Sequence, residues 1–268
     1  MSLSRGDQIQ LEVQRVVSYC LFVLLGPVLK LLSRYYFHYR IDDLREIRDQ
    51  YRDLQRQSEG ALLVCTNHLT FIDSLIQGVI LNSMWGYLSD FSSLPWNLPE
   101  STNFEHSLAY RVICYLGKSI PVTRRASSEQ SRRSMSKMQY VLERGDNISV
   151  FPEGKRSRNG RVDVEDFSYG AGQLLANSPE TRVLCVYMRG MKFGGFAEFP
   201  PKGEEFTLRM ALFEPKSELK GLRWVRDVST QIVGQLKVME DEYFSEQGRA
   251  LSGSRSERGD AREPRTIR

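Results

Sequence analysis

Residues 61–73 read Ala61-Leu62-Leu63-Val64-Cys65-Thr66-Asn67-His68-Leu69-Thr70-Phe71-Ile72-Asp73. The stretch 61–66, entered from Gly60, is a short apolar run, which predicts a strand buried in a sheet. From 71 to 81 the apolar residues return at helical spacing, so a helix follows the strand after a polar turn. The turn between them holds Asn67, His68 and Asp73, three side chains able to do chemistry.

The same alternation recurs outward from this stretch. Strands are predicted at 119–123, 148–151, 183–188 and 206–213, the third from last stopped by Pro152. Helices are predicted at 41–57, 104–116, 127–144, 170–177 and 221–244, with Gly117 and Gly145 as stops after the second and third. Strands alternating with helices indicate an α/β domain with a central, mostly parallel or mixed sheet flanked by helices. Residues 91–102 carry Pro95 and Pro99 around Trp96 and predict a loop or lid.

At 268 residues with 41% apolar content, the chain is long enough for one enzyme-sized domain and too apolar for general disorder. The net charge of +4 is far below that of a dedicated nucleic-acid binder, yet suits work beside anionic lipid. Cys20, Cys65, Cys114 and Cys185 are scattered, with no CxxC pair, and three histidines complete no zinc site. A reduced protein without disulfides or metal is expected.

Residues 16–29 run without a charge between Arg15 and Lys30. That is shorter than the roughly 20 residues a spanning helix requires, and Gly26-Pro27 would kink it. Arg34, Tyr35, Tyr36 and Phe37 follow, an interfacial rather than a cleavage-site composition. The prediction is a membrane-associated helix or kinked helix pair at 1–40, lying in one leaflet on the cytoplasmic face. The folded domain would then occupy 41–244, and the Ser-, Gly-, Arg- and Glu-rich tail at 245–268 would be disordered.

His68 stands directly after a buried strand, where open α/β sheets bind ligands. An imidazole is a base near neutral pH, and a carboxylate five residues on can fix its tautomer. Spacing alone is weak, about one chance in twenty per histidine, and His38 with Asp43 repeats it. His38 has no buried strand before it and no preceding Asn, so His68 is the candidate. Two further blocks follow other predicted strands or turns. Phe151-Pro152-Glu153-Gly154-Lys155-Arg156-Ser157 offers a carboxylate, a permissive backbone and cations, joined by Arg158. Gly117-Lys118-Ser119-Ile120-Pro121-Val122-Thr123-Arg124 ends in a guanidinium suited to phosphate.

NHLTFID, GKSIPVTR and FPEGKRS, in that order, resemble the motifs of the glycerophospholipid acyltransferases of the lysophosphatidate acyltransferase type. The resemblance covers about 61–190. It implies a membrane-attached α/β enzyme that needs no metal or bound cofactor. It also implies acyl-CoA or acyl carrier protein as donor and a lysophospholipid or glycerol phosphate as acceptor. Carried over, His68 would be the general base and Asp73 its orienting carboxylate. Asn67 would shape the turn, and Gly117, Arg124, Glu153, Gly154 and Arg156 would contact the acceptor.

The sequence departs from the family in four places. The Gly117–Arg124 block is one residue longer than the commonest form, and Pro121 stands where Phe is frequent. Lys155 replaces a common Thr, adding a cation, and Cys185 stands where a strand Pro is expected. Two other readings fit parts of the sequence: a lipid thioesterase or hydrolase using the same base, and a non-catalytic protein that binds anionic membranes. The lack of G-x-S-x-G and G-x4-G-K-[ST] argues against a serine hydrolase and a P-loop enzyme.

Overall fold

The structure is a computed structural model and describes residues 3–101, 108–123, 127–192 and 198–259, with backbone alone at 109–110 and 249–259. Among them the sheet has six strands: β1 (Arg40–Ile41), β2 (Leu62–Thr66), β3 (Trp96–Asn97), β4 (Ile148–Val150), β5 (Arg182–Gly190) and β6 (Glu205–Phe213). Their spatial order is β1-β6-β5-β2-β4-β3. β5 and β6 are antiparallel and the other neighbouring pairs parallel, so the sheet is mixed. It curls as a half-barrel flanked by helices.

The continuous apolar runs are explained by the helices on both faces. Along β2 and β5, Leu63, Cys65, Val183, Cys185 and Tyr187 join a core with α6 (Ser128–Glu143), α7 (Gly170–Asn177) and α8 (Leu222–Gly259). The alternate residues Leu62, Val64, Leu184, Val186 and Met188 pack on the other face against α2 (Leu44–Ser58) and α3 (Asp73–Leu81). Strand side chains alternate between faces, so a strand covered on both sides reads as unbroken apolar sequence. Gly172 is required where α7 meets α8, since a Cβ there would lie 2.3 Å from the Val225 carbonyl oxygen.

The expected loop at 91–102 is packed structure over its described residues, 91–101. A 3-10 turn, Phe91–Ser93, leads into β3, and Trp96 is only 1% exposed. The prolines are tolerated because β3 is a short strand near the sheet edge, where a missing N–H breaks little of the ladder. The expected strand at 119–123 survives only as a bonded edge: Ile120 N–H donates to Asn97 O and Val122 N–H to Pro99 O, each at 2.9 Å. Between them and β2 lie α4 (Met84–Ser89), in a stretch to which the sequence reading assigned no element, and α5 (Leu108–Leu116). The first residues of the helix predicted at 104–116 lie outside the described residues. α8 continues past residue 244 to Gly259, and Glu246 there pairs with Arg209 of β6. Residues 260–268 lie outside the described residues.

The N-terminal segment is one helix, α1 (Arg5–Leu31), continued by a π-turn, Leu32–Tyr36. No break occurs at Pro27, which lies inside it. A proline removes one helical donor, and the remaining ladder carries the helix through. The helix is longer than the charge-free run because its polar residues have partners on the domain. Asp7 pairs with Arg133 at 2.7 Å, Arg15 with Asp146 at 3.1 Å, and Gln14 Nε2 donates to Tyr115 O and Ser119 O. Its polarity is inverted relative to an ordinary surface helix. Asp7, Gln14 and Ser18 face the protein, whereas Ile9, Val13, Val16, Leu24 and Leu31 are exposed. By length and composition Arg5–Tyr36 could cross a membrane.

Candidate active site

β2 ends at Thr66, and the next seven residues fold into a closed turn. Asn67 is buried, and its side-chain amide pairs with one residue of β5: Nδ2 donates to Met188 O at 3.0 Å and Oδ1 accepts the Met188 N–H at 2.7 Å. It therefore continues the β2–β5 ladder after the backbone has left it, and it braces the turn rather than facing a ligand. Asp73 opens α3 and is buried. Its Oδ2 accepts the N–H groups of Leu69 and Thr70 at 2.6 and 2.8 Å, and Thr70 Oγ1 donates to Oδ1 at 2.5 Å.

His68 Nδ1 lies 2.9 Å from the same Asp73 Oδ2. With two N–H donors already on Oδ2 and a hydroxyl on Oδ1, the carboxylate is the acceptor toward Nδ1–H, so the neutral imidazole carries its lone pair at Nε2. The ring stacks on Phe151 with centroids 4.1 Å apart and planes at 19°, and its side chain is 20% exposed. The imidazole is held on one face and at one nitrogen while still reaching solvent.

The FPEG block meets this turn through backbone. Glu153 Oε1 accepts the His68 N–H at 2.9 Å, and Ser157 N–H donates to His68 O at 2.8 Å. Both peptide groups of His68 are thus tied to the loop after β4. Glu153 is buried, and Oε2 has no hydrogen-bond partner among the described residues. Burial pushes its carboxyl up to about 7, partly offset by the N–H groups of His68 and Asp163. Gly154 has φ +65°, a conformation that favours glycine. Arg156 extends over Phe71, its Cζ 5.9 Å from the ring centroid. Lys155, in contrast, is engaged within its own loop by Asp163 at 3.0 Å and Asp166 at 2.5 Å. It is no additional free cation for a phosphate.

The GKSIPVTR block lies differently from the expectation. Register places Ser119 beside Asn97, Asn97 beside Ser149, and Ser149 beside Val64. Gly117 therefore lies toward the N-terminal ends of β2 and β4, whereas His68 lies beyond their C-terminal ends. Gly117 ends α5 and is not brought to the His68 turn. Thr123, the other end of the block, bonds Ser101 Oγ at 2.6 Å. Arg124 lies outside the described residues. His38 is exposed before β1, and Asp43 is exposed at the start of α2, so the repeated spacing builds no comparable turn.

Several structural partners were not singled out in the sequence. Thr70 and Phe151 sit inside the motifs and were readable only as motif filler. Lys118 was hidden more deeply. It is fully buried, and Nζ donates to Phe91 O, Leu94 O and Asp146 Oδ1 at 2.9, 2.7 and 2.9 Å. Asp146 is delivered there by the Schellman turn ending α6, with Gly145 at φ +83° and Asp146 N–H donating to Val141 O. Asp146 also binds Arg15 of α1, so one carboxylate joins the N-terminal helix to the sheet edge. Among the described residues no group of three or more His, Cys, Asp or Glu side chains is placed to hold a metal ion.

The family model described as Acyltransferase matches residues 46–189, more than half of the chain, and spans both halves of the His68 turn. The chain belongs to the glycerophospholipid acyltransferase family. A comparison with curated proteins finds no match. In this acyltransferase Cys185 lies in the middle of β5, bonded between β2 and β6 and buried opposite Cys65. A proline there would remove a ladder donor from an interior strand. Burial pushes the Cys185 thiol up to about 12, which makes it a core group rather than a reactive one.

Proposed function

We propose that this acyltransferase moves a fatty acyl group from acyl-CoA or acyl carrier protein to a hydroxyl of lysophosphatidate or a related lysophospholipid. The observation that carries the reading is the His68–Asp73 pair at 2.9 Å, set at the end of a parallel strand with Nε2 left as the basic nitrogen. Nε2 takes the proton of the acceptor hydroxyl as its oxygen attacks the thioester carbonyl. The tetrahedral intermediate collapses, the C–S bond breaks, and the imidazolium returns its proton to the leaving thiolate. Asp73 holds the ring and stabilises the imidazolium throughout. Written this way, the reaction uses no metal or bound cofactor.

Arg156 and Arg124 are the cations assigned to the acceptor phosphate, because guanidinium groups bind phosphate in a bidentate manner. Gly154 lets the backbone approach that acceptor. The enzyme works at a membrane surface, with the exposed apolar stripe of α1 in the lipid and Lys30 and Arg34 at the cytoplasmic headgroups.

The test is a mass-spectrometric survey of lysophospholipid acceptors with acyl-CoA and acyl carrier protein thioesters offered side by side. His68→Ala should abolish transfer and His38→Ala should keep most of it. Equal activity in the two variants removes the assignment. Release of free fatty acid at a rate independent of acceptor makes the protein a thioesterase instead.

A further inference from the structure

The loop that carries Glu153, Gly154 and Arg156 is tied inward to His68 and outward to α8. Glu240 of α8 is 1% exposed, and its Oε1 accepts the Val162 N–H at 3.2 Å. Its Oε2 meets Lys237 Nζ at 2.9 Å and Arg161 Nη1 at 3.9 Å. Arg189 of β5 secures the preceding residue by donating from Nη1 to Gly160 O. Arg161 and Arg189 both lie over Phe244, at 3.5 and 4.8 Å from its centroid. Consecutive loop residues 160, 161 and 162 thus each have a partner on β5 or α8.

A carboxylate this deep in a helix interface carries a large desolvation penalty, and neighbours Leu236, Met239 and Tyr243 would pack well on an apolar side chain. Stability of the helix interface alone does not account for an acid at 240. Its loop partners do: the Val162 N–H and Arg161 both belong to the loop, whereas Lys237 lies one turn away on α8 and also pairs with Asp241. Glu240 also lies outside the segment that matches the family, residues 46–189.

We propose that Glu240 is a positioning residue, anchoring the loop through Val162 and Arg161 so that the segment 153–156 stays in register with the His68 base. The proposal rests on acyl transfer to a phosphorylated acceptor held by that segment. Gln at 240 still accepts the Val162 N–H, whereas Ala leaves that donor and the Arg161 contact without their partner on α8, Lys237 keeping Asp241.

The experiment uses the full chain in mixed micelles, with acyl-CoA and lysophosphatidate, and pairs kinetics with amide hydrogen exchange. Glu240→Ala should raise the acceptor KM about tenfold, with the acyl-CoA KM unchanged, while Glu240→Gln stays within about twofold of the native enzyme. Amides at 160–163 should exchange faster in Glu240→Ala, while those of β2 and β5 keep their protection. Should Glu240→Ala fail to fold, Glu240→Asp carries the comparison, with an intermediate rise in acceptor KM from its shorter reach. An unchanged acceptor KM in the folded variant, or equal loss from Gln and Ala in both substrates' KM, overturns the proposal. If the native chain transfers to no lysophospholipid, the acceptor reading falls. Exchange at 160–163 in Gln against Ala then decides the anchoring alone, and equal rates overturn it.

Discussion

His68 and Asp73 share one oxygen with the turn that presents them: Asp73 Oδ2 lies 2.9 Å from Nδ1 and also takes the N–H groups of Leu69 and Thr70. The carboxylate that orients the imidazole is the one that closes its loop. Asp73→Asn should therefore harm both. Turnover is expected to fall about ten-thousandfold, as when a triad aspartate becomes an amide, and stability by about 2 kcal/mol. Steady-state rates and urea melts check this. A variant that keeps a tenth of native turnover would separate Asp73 from the mechanism.

Glu153 should make stability depend on pH. Its carboxyl is raised from 4.5 to about 7 by burial. Between those values the folded chain binds more protons than the unfolded one, so stability is fully present below about 4.5 and declines as pH rises toward 7. Glu153→Gln keeps an acceptor for the His68 N–H and removes the titration. It should gain up to about 3 kcal/mol relative to the native chain on going from pH 4.5 to pH 8. Parallel pH-dependent melting curves for the two proteins would sink the assignment.

Lys118→Met should cost about 3 kcal/mol, because it strands two buried carbonyls and leaves Asp146 with Arg15 alone while fitting the same space. The native lysine has the opposite pH signature to Glu153. Burial lowers its ammonium from 10.5 to about 8, so the folded chain binds fewer protons in that window and the group's contribution to stability rises with pH across it. Denaturant titrations at pH 7.5 and 10 of both proteins measure the cost and the slope. A Met variant as stable as the native chain would mean that the buried pair is not holding the edge.

The outward stripe of α1 should govern membrane binding and leave the fold alone. Leu24→Asp with Val28→Asp changes two exposed side chains on that stripe. Partition into anionic vesicles should drop by more than about a hundredfold, since each lost apolar contact is worth about 1.5–3 kcal/mol. Co-sedimentation reads the partition and circular dichroism the fold. Unaltered sedimentation would place the lipid contact elsewhere.

The site motifs differ in how far the sequence carried them. NHLTFID was legible as a unit because its five-residue spacing is closed by local hydrogen bonds, which depend on a few adjacent residues. The long elements were legible for a related reason: their apolar runs and periods register burial on one face or two. The 91–102 segment was misread because its prolines signal a local break, whereas Trp96 is buried by neighbours brought from β4 and the 119–122 edge. The position of Gly117, away from the His68 turn, was not legible because a motif's order in the chain says nothing about which end of the sheet its first residue occupies.

By itself the sequence determined the α/β alternation, the family and the His–Asp turn, all of which follow from local periodicity and short-range spacing. Tertiary structure alone decided that Glu153 braces His68, that Lys118 lies buried on Asp146, and that Glu240 of α8 reaches the loop from outside the matched segment. Those contacts join residues dozens of positions apart. Their energies come from burial and from the scarcity of partners inside the protein, and neither is written in a residue's immediate neighbours.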